Sequence, residues 1–324
     1  MHGRTEGVIQ CMEFHPSGAF LMTAGFDRRL RFFTADGVSN EPLQSFYFAD
    51  MPVHTARFAS GGSVVVASGR RRFFYVLDVT TEKVERNKGL VGRSERSLEK
   101  FVVPSSPAGG AGQAEVVAFY GTDGSMPLVS LRSRQVVGEL RMSGTVRAAT
   151  FSPVGGPRLF TAGGDGRVCV WDVRMQRCIG RFVDEGCVGG SALAASQSYL
   201  ACGSGSGVVN VYSRAALPGD AATEGGGAVG RPAPLRALTN LVTVVDTLAF
   251  SPGGEVLCMA SRMKKNSLRL VHVPTLTVFS NWPTSRSPLH YVHCACFSPG
   301  GGFLAMGNAR GHVLMYRLHH FKSV

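Results

Sequence analysis

The chain has 324 residues, 44% of them hydrophobic and 17% charged, with 41 glycines and a formal net charge of +12. That composition is globular and turn-rich. It holds no apolar run of about 18 residues that would mark a membrane helix, and Met1-His2-Gly3-Arg4-Thr5-Glu6-Gly7 lacks the apolar core of a secretory signal. The positive balance favours acidic partners, RNA or acidic protein tails among them.

One short pattern returns about seven times. An apolar strand ends in Phe-x-Pro, a second ends in Ala-Gly or its like, a polar turn follows, and a third strand ends in an aromatic residue. Blade one, from Val8 to about Asp36, reads Phe14-His15-Pro16, Thr23-Ala24-Gly25-Phe26-Asp27 and Leu30-Arg31-Phe32-Phe33. Blade two runs from Val53 to about Val84 through Ala56-Arg57-Phe58 and Phe73-Phe74-Tyr75-Val76-Leu77-Asp78. Blade three is degenerate and is placed from Ser97 to Leu140, with strands at Val116–Tyr120 and Pro127–Leu131 and a soft stretch from Pro104 to Gly112. Blade four, Thr145 to Phe182, is the clearest copy, with Phe151-Ser152-Pro153, Thr161-Ala162-Gly163-Gly164-Asp165-Gly166 and Val168-Cys169-Val170-Trp171-Asp172. Blade five runs from Val188 to Tyr212, blade six from Val244 through Phe250-Ser251-Pro252 to His272, and blade seven from Val292 through Phe297-Ser298-Pro299 to Tyr316.

A unit of forty-odd residues with three or four strands and a Trp-Asp ending is the signature of WD-type blades. Length alone suggests about two domains, but the repeat predicts one all-β, seven-bladed WD-repeat β-propeller over 1–324. Phe58 and Phe151 lie two units apart; Phe151 and Phe250 lie two units and an insertion apart. The insertion, residues 217–234, is rich in Gly, Ala and Pro and reads as a flexible loop between blades five and six. Only about seven residues precede the first strand. The closing blade is therefore expected to lack a full outer strand unless His319–Val324 or another chain supplies it, and the chain is expected to be a shortened form of something longer.

Motifs that carry chemistry are missing from the sequence. There is no phosphate-binding loop; Gly203-Ser204-Gly205-Ser206-Gly207 is a blade turn without a following Lys or helix. There is no H-E-x-x-H and no G-x-S-x-G. The His pairs 319/320 and 290/293 have no carboxylate or thiol at ligand spacing, and Trp171 and Trp282 read as structural. The eight cysteines read as small buried hydrophobes in a reducing compartment. Cys294 and Cys296 share one strand face but would need two further ligands to hold a metal. Asp27, Asp123 and Asp165 fall at equivalent points of the repeat and read as turn residues rather than catalytic acids. No catalytic residue, cofactor, metal site or small-molecule substrate is expected.

The turns between second and third strands emerge on one face of a propeller. They carry Arg28 and Arg29 in blade one, Arg70, Arg71 and Arg72 in blade two, Arg167 in blade four, Arg262, Lys264 and Lys265 in blade six, and Arg310 in blade seven. Only Asp27 and Asp165 stand against them among these turns. Such a basic set suits a phosphate backbone or an acidic peptide. Without an aromatic platform beyond Phe73-Phe74-Tyr75, base-specific reading is not supported.

Several stretches go beyond a generic blade: Gly180–Gly186, Ala201–Ser204 with Gly207–Tyr212, Asn240–Thr243, Leu268–Pro274 with Thr277–Pro283, and Leu314–His320. Together with Phe14-His15-Pro16 they resemble the propeller of the U3 small nucleolar RNA-associated protein 18 family, over nearly the whole chain. The resemblance implies a non-catalytic component of the small-subunit processome in the nucleolus. It implies other WD-repeat proteins, the U3 ribonucleoprotein and pre-rRNA as partners, and a role in releasing the small-subunit rRNA. That family also has a long N-terminal extension with a motif that recruits an RNA helicase; this chain begins almost at blade one, so that docking function is not carried over. Two other readings stay open on the residues alone: a WD adaptor such as a ubiquitin-ligase substrate receptor, and a propeller enzyme such as a metal-assisted hydrolase. The second would need inward carboxylates or His where the blades offer mostly Ala, Cys, Val and Thr.

Overall fold

A computed structural model describes residues 7–90, 92–93, 95–104, 116–153, 156–219, 228–284 and 286–319. The strands form seven sheets. The first holds Ile9–Phe14, Phe20–Gly25, Arg29–Thr34 and Pro42–Tyr47; the second Thr55–Ala59, Val64–Ser68, Phe74–Asp78 and Val84–Asn87. The third, degenerate in sequence, holds Phe101–Val102, Val116–Phe119, Ser125–Ser130 and Val136–Arg141. The fourth holds Val146–Phe151, Arg158–Gly163, Arg167–Asp172 and Arg177–Val183, the fifth Gly190–Ala195, Tyr199–Ser204, Val209–Ser213 and Arg236–Leu238. The sixth holds Thr247–Phe250, Val256–Ala260, Leu268–His272 and Thr277–Val278, and the seventh Val292–Phe297, Phe303–Asn308 and Val313–Arg317. This is the seven-bladed β-propeller fold of the WD type. Among the described residues the seventh sheet has three strands. Residues 320–324, all but the first residue of the candidate closing segment His319–Val324, and most of the soft stretch 104–112 lie outside the described residues.

The repeat motif folds for local reasons. In blade one His15 N–H bonds the Phe20 carbonyl and Gly18 N–H bonds the His15 carbonyl; Ser251/Gly254 and Ser298/Gly301 repeat both bonds. Pro therefore sits at the second turn position, where its fixed φ is preset, and a glycine with φ near +75° closes the turn. The first strand carries the same register shift in blades one, four, five and seven, at Ile9/Cys11, Val146/Ala148, Gly190/Ala192 and Val292/Cys294. A bulge repeated at one position across blades marks a designed bend rather than a defect.

Burial follows strand position. Second strands such as Arg158–Gly163 and Phe303–Asn308 are buried almost throughout, because sheets pack on both of their faces. Outer strands such as Pro42–Tyr47 alternate or are exposed. The chain divides into two compact units. Of the described residues, one contains those within 7–120, 128–137 and 289–319; the other contains those within 121–127 and 138–288. In the first, the inner strand Ile9–Phe14 lies beside both Val292–Phe297 and Thr55–Ala59. The Phe58 N–H donates to Glu13 Oε2 at 2.8 Å and the Ala56 N–H to Cys11 Sγ at 3.1 Å. His15 stacks on Phe20 at 4.2 Å, and Phe20, Phe32 and Phe58 meet edge-on or tilted. In the second unit, Phe160, Phe182, Leu200 and Tyr212 fill the space between the fourth and fifth sheets.

The insertion is placed differently from the sequence expectation. It does not separate blades five and six; it interrupts blade five, whose outer strand Arg236–Leu238 follows it and pairs with Val209–Val211. Ala228–Gly230 pairs in parallel with Gly180–Phe182, adding a fifth strand to the fourth sheet. The physical reason is edge cover: a strand laid on an open sheet edge satisfies its amides and carbonyls. Residues 220–227 lie outside the described residues.

Candidate partner and nucleic-acid interface

All ten basic turn residues are exposed, but their charges are not equally available. In blade one, Arg28 adopts φ +61° and its Nη1 donates to the Ala49 carbonyl at 2.7 Å. Arg29 lies over the Tyr47 ring at 5.4 Å, a cation–π contact. Asp27 accepts the Arg29 N–H at 3.3 Å and pairs with Arg31. In blade two, Arg70 pairs with Glu99 at 2.7 Å, and Arg71 Nε donates to the Asp50 carbonyl at 3.2 Å. Asp50 is held further by Tyr75 Oη at 2.6 Å and Arg86 at 3.3 Å. The basic turns of blades one and two thus clamp one connector, the segment 48–53, whose Phe48, Met51 and Val53 are buried.

In the second unit, Arg167 pairs with Asp165 at 3.3 Å, and Asp165 also accepts the Arg167 N–H at 3.1 Å. Arg262 pairs with Asp246 at 3.1 Å and donates its own backbone N–H to the same carboxylate. The sequence expectation that only Asp27 and Asp165 oppose the basic turns is therefore corrected: Glu99 and Asp246 do so too, and the carbonyls of Ala49 and Asp50 take two more guanidinium groups. Among the described residues, the side chains of Arg72 and Arg310 in the first unit, and of Lys264 and Lys265 in the second, have no hydrogen-bond or ion-pair partner. Exposed apolar side chains lie beside some of these turns: Phe26, whose ring contacts His54 at 4.8 Å, in blade one, and Met263 in blade six.

The turn carboxylates act as the repeat predicts. Asp27 and Asp165 each accept the N–H two residues on, and Asp123 supplies a positive φ of 53°. Sequence reading missed a second set in the turns after third strands. Asp78 accepts from Thr80 and Thr81 at 2.8 and 3.0 Å, and Asp172 from Arg174 and Met175 at 2.9 and 3.0 Å. Asp36 accepts from Ser39, Asn40 and Val38, which lowers its carboxyl to about 2. The missed signal was the Trp-Asp ending itself, whose Asp builds the next turn.

A buried polar network joins blades four and five. Asp184 is 4% exposed and accepts from Asn210 Nδ2 at 2.8 Å and Tyr212 Oη at 2.6 Å. Burial raises its carboxyl above the ordinary range, and these two hydrogen bonds oppose that. No group of three metal-ligating side chains exists among the described residues. Burial pushes the thiols of Cys11 and Cys258 up to about 12 and that of Cys294 higher still.

Fold, turn chemistry and repeat together define a WD-repeat β-propeller. The family model described as "WD domain, G-beta repeat" matches residues 1–34 and 135–172, which take in blade one as far as its third strand and the first three strands of blade four. The chain is 42% identical over 98% of its length to the U3 small nucleolar RNA-associated protein 18 homolog of Arabidopsis thaliana. It is 36% identical over 97% to that of Homo sapiens and 32% identical over 98% to U3 small nucleolar RNA-associated protein 18 of Saccharomyces cerevisiae. It is thus similar to proteins named U3 small nucleolar RNA-associated protein 18 over 97–98% of its length. It spans 56%, 54% and 59% of those relatives respectively, little more than half of each.

Proposed function

We propose that this chain is a non-catalytic scaffold of the small-subunit processome. It joins the U3 ribonucleoprotein and supports the pre-rRNA processing that yields the small-subunit (18S) rRNA. One observation carries this reading: nearly the entire chain aligns with proteins named for association with U3 small nucleolar RNA. The WD propeller and those names point to a protein without catalysis. They favour the nucleolus as its place and other WD-repeat proteins of the processome as its neighbours.

The side chains through which it would act are the free cations of each unit, Arg72 and Arg310 in the first and Lys264 and Lys265 in the second. Arg72, Arg310, Lys264 and Lys265 can neutralise phosphates or carboxylates without first breaking an internal contact. Arg28, Arg70, Arg71, Arg167 and Arg262 would have to give up one, and Arg29 a ring contact. Backbone-type recognition of this sort positions a partner and does not read bases.

A tagged pull-down from cells at moderate salt, probed for U3 small nucleolar RNA and unprocessed rRNA, tests the assignment. Enrichment of both is expected. Recovery of folded protein with neither RNA enriched overturns the assignment and favours a WD adaptor of another assembly.

A further inference from the structure

Three strongly exposed apolar side chains of the second unit lie on neighbouring connectors: Val188 is 71% exposed, Val242 69% and Met263 65%. Printed contacts tie those connectors side by side. The Val188 N–H donates to Ser204 Oγ at 3.0 Å and the Gly205 N–H to the Gly189 carbonyl at 2.9 Å, so the turn 204–207 has Val188 on one flank. On its other flank Gly207 lies against the segment 241–243: an added Cβ would stand 2.5 Å from the Leu241 carbonyl oxygen and 2.9 Å from that of Thr243. Thr243 Oγ1 donates to Ser261 Oγ at 2.8 Å, and Ser261 Oγ accepts the Met263 N–H at 3.3 Å. Single exposed apolar residues are ordinary on a protein surface, whereas a cluster of them marks a place where something binds.

The charges around this cluster are unbalanced. Lys264 and Lys265 follow Met263 directly, both exposed, and both lack an ion-pair partner among the described residues. Arg262 and Asp246 occupy each other at 3.1 Å. Glu185, exposed and three residues before Val188, sets a negative charge at the Val188 end. The surface therefore has a polarity, with free positive charge at the Met263 end. It offers no aromatic ring, and its one guanidinium is engaged, so it lacks the flat groups on which bases stack. Branched valines and an adaptable methionine suit apolar side chains instead, and the two ammonium groups suit carboxylates.

We propose that Val188, Val242, Met263, Lys264 and Lys265 dock an acidic, apolar segment of another protein chain. Its apolar side chains cover Val188, Val242 and Met263, and its aspartates or glutamates lie at the lysine end, away from Glu185. In taking that chain to be a component of the same assembly, the proposal rests on the scaffold reading given above. The apolar contact slows dissociation, while the lysines speed encounter and fix the direction in which the segment lies. None of the five side chains has to leave an internal hydrogen bond or ion pair to do this.

The test places a photo-crosslinking amino acid at Val242 of the tagged full chain in cells, irradiates, purifies at moderate salt and maps the cross-linked peptides by mass spectrometry. A single protein segment with more acidic than basic residues and at least one large apolar residue is expected. In the same chain carrying Lys264→Glu and Lys265→Glu, with its unfolding midpoint unchanged, that cross-link is expected to fall roughly tenfold, since like charges then face each other. Cross-links to RNA alone, to a second copy of this chain or to a segment without acidic excess overturn the proposal, as does a cross-link that the double reversal leaves undiminished. The assembly is read in the same sample. No cross-link where U3 small nucleolar RNA is recovered overturns the docking surface and leaves the processome assignment standing. The expected cross-link without that RNA supports the surface and overturns the assignment.

Discussion

Thr161 and Thr23 occupy equivalent points of blades four and one, in buried second strands and facing the third. Thr161 Oγ1 accepts the Trp171 indole N–H at 2.9 Å. In blade one the register places Phe33 where Trp171 stands, opposite Leu21 as Trp171 is opposite Leu159, and the buried Thr23 hydroxyl has no partner among the described residues. The two threonines should therefore respond oppositely to the same isosteric change. Thr161→Val leaves a buried indole N–H unpaired and is expected to cost about 1–3 kcal/mol, whereas Thr23→Val removes an already orphaned hydroxyl and is expected to be neutral or slightly stabilising. Denaturant midpoints at constant m-value decide it; equal losses would refute the account. Tyr212 gives a second residue-scale test. Its hydroxyl bonds the buried Asp184 carboxylate, so Tyr212→Phe is expected to cost about 1–3 kcal/mol at pH 7. The pH dependence follows from linkage. Asp184 has a folded pKa above its unfolded one, so the stability it contributes is full at low pH and is lost as pH rises through the folded value. Tyr212 favours the ionised form, and its removal raises the folded pKa further. The gap between variant and wild type should thus be widest at neutral pH and shrink as pH falls into the carboxylate range. Unfolding curves between pH 4 and 8, on the order of the range where carboxylates titrate, would show a pH-independent gap if Tyr212 acted by packing alone.

Strands were legible to the extent that their burial was two-sided. Second strands read as apolar runs ending in Ala-Gly because neighbouring sheets cover both faces, and the Phe-x-Pro turn has a fixed local geometry. Outer strands such as Arg236–Leu238 and Thr277–Val278 hold two or three residues, too few for any alternation to register. That is why the sequence places the insertion at the boundary of blades five and six while the structure places it inside blade five: the strand that ends blade five has no pattern of its own, and a composition shift marks a loop without telling which sheet resumes after it. The strap it forms depends on close approach at Gly180, where an added Cβ would stand 1.9 Å from the Pro218 carbonyl oxygen. Gly180→Ala is therefore expected to destabilise the chain by about 1–3 kcal/mol through overpacking. It should also speed amide hydrogen exchange in Gly230 and Phe182, which belong to that edge pairing, more than in the buried second strand Arg158–Gly163. Uniform acceleration across the fourth sheet would instead mean that the strap is not a separate unit.

At the scale of the whole molecule, the charge surplus was legible and its distribution was not. Turn arginines are visible in a sequence, but their partners are remote: Arg70 meets Glu99 29 residues away and Arg71 meets Asp50 21 residues away. Pairing across such distances is set by how connectors fold back, which no local pattern encodes. The structure sorts the ten cations into those engaged in an internal contact and those whose side-chain charge is free, and this sorting makes a prediction that net charge alone cannot. Removing Arg28 and Arg71 together is expected to lower the unfolding midpoint, by on the order of 1 kcal/mol for each bond to a backbone carbonyl, because both guanidinium groups clamp the connector at Ala49 and Asp50. Reversing Arg72, Arg310, Lys264 and Lys265 to glutamate breaks no internal contact and should leave the midpoint where it is. If those four face phosphates, the same reversal should lower the recovery of U3 small nucleolar RNA with the tagged chain. Where RNA is bound directly, it should also flatten the salt dependence of binding, by roughly 0.7 to 0.9 in logarithmic slope for each phosphate no longer neutralised. A folded quadruple variant with undiminished RNA recovery and an unchanged slope would remove these turns from the interface, leaving any association with U3 RNA to other surfaces of the propeller.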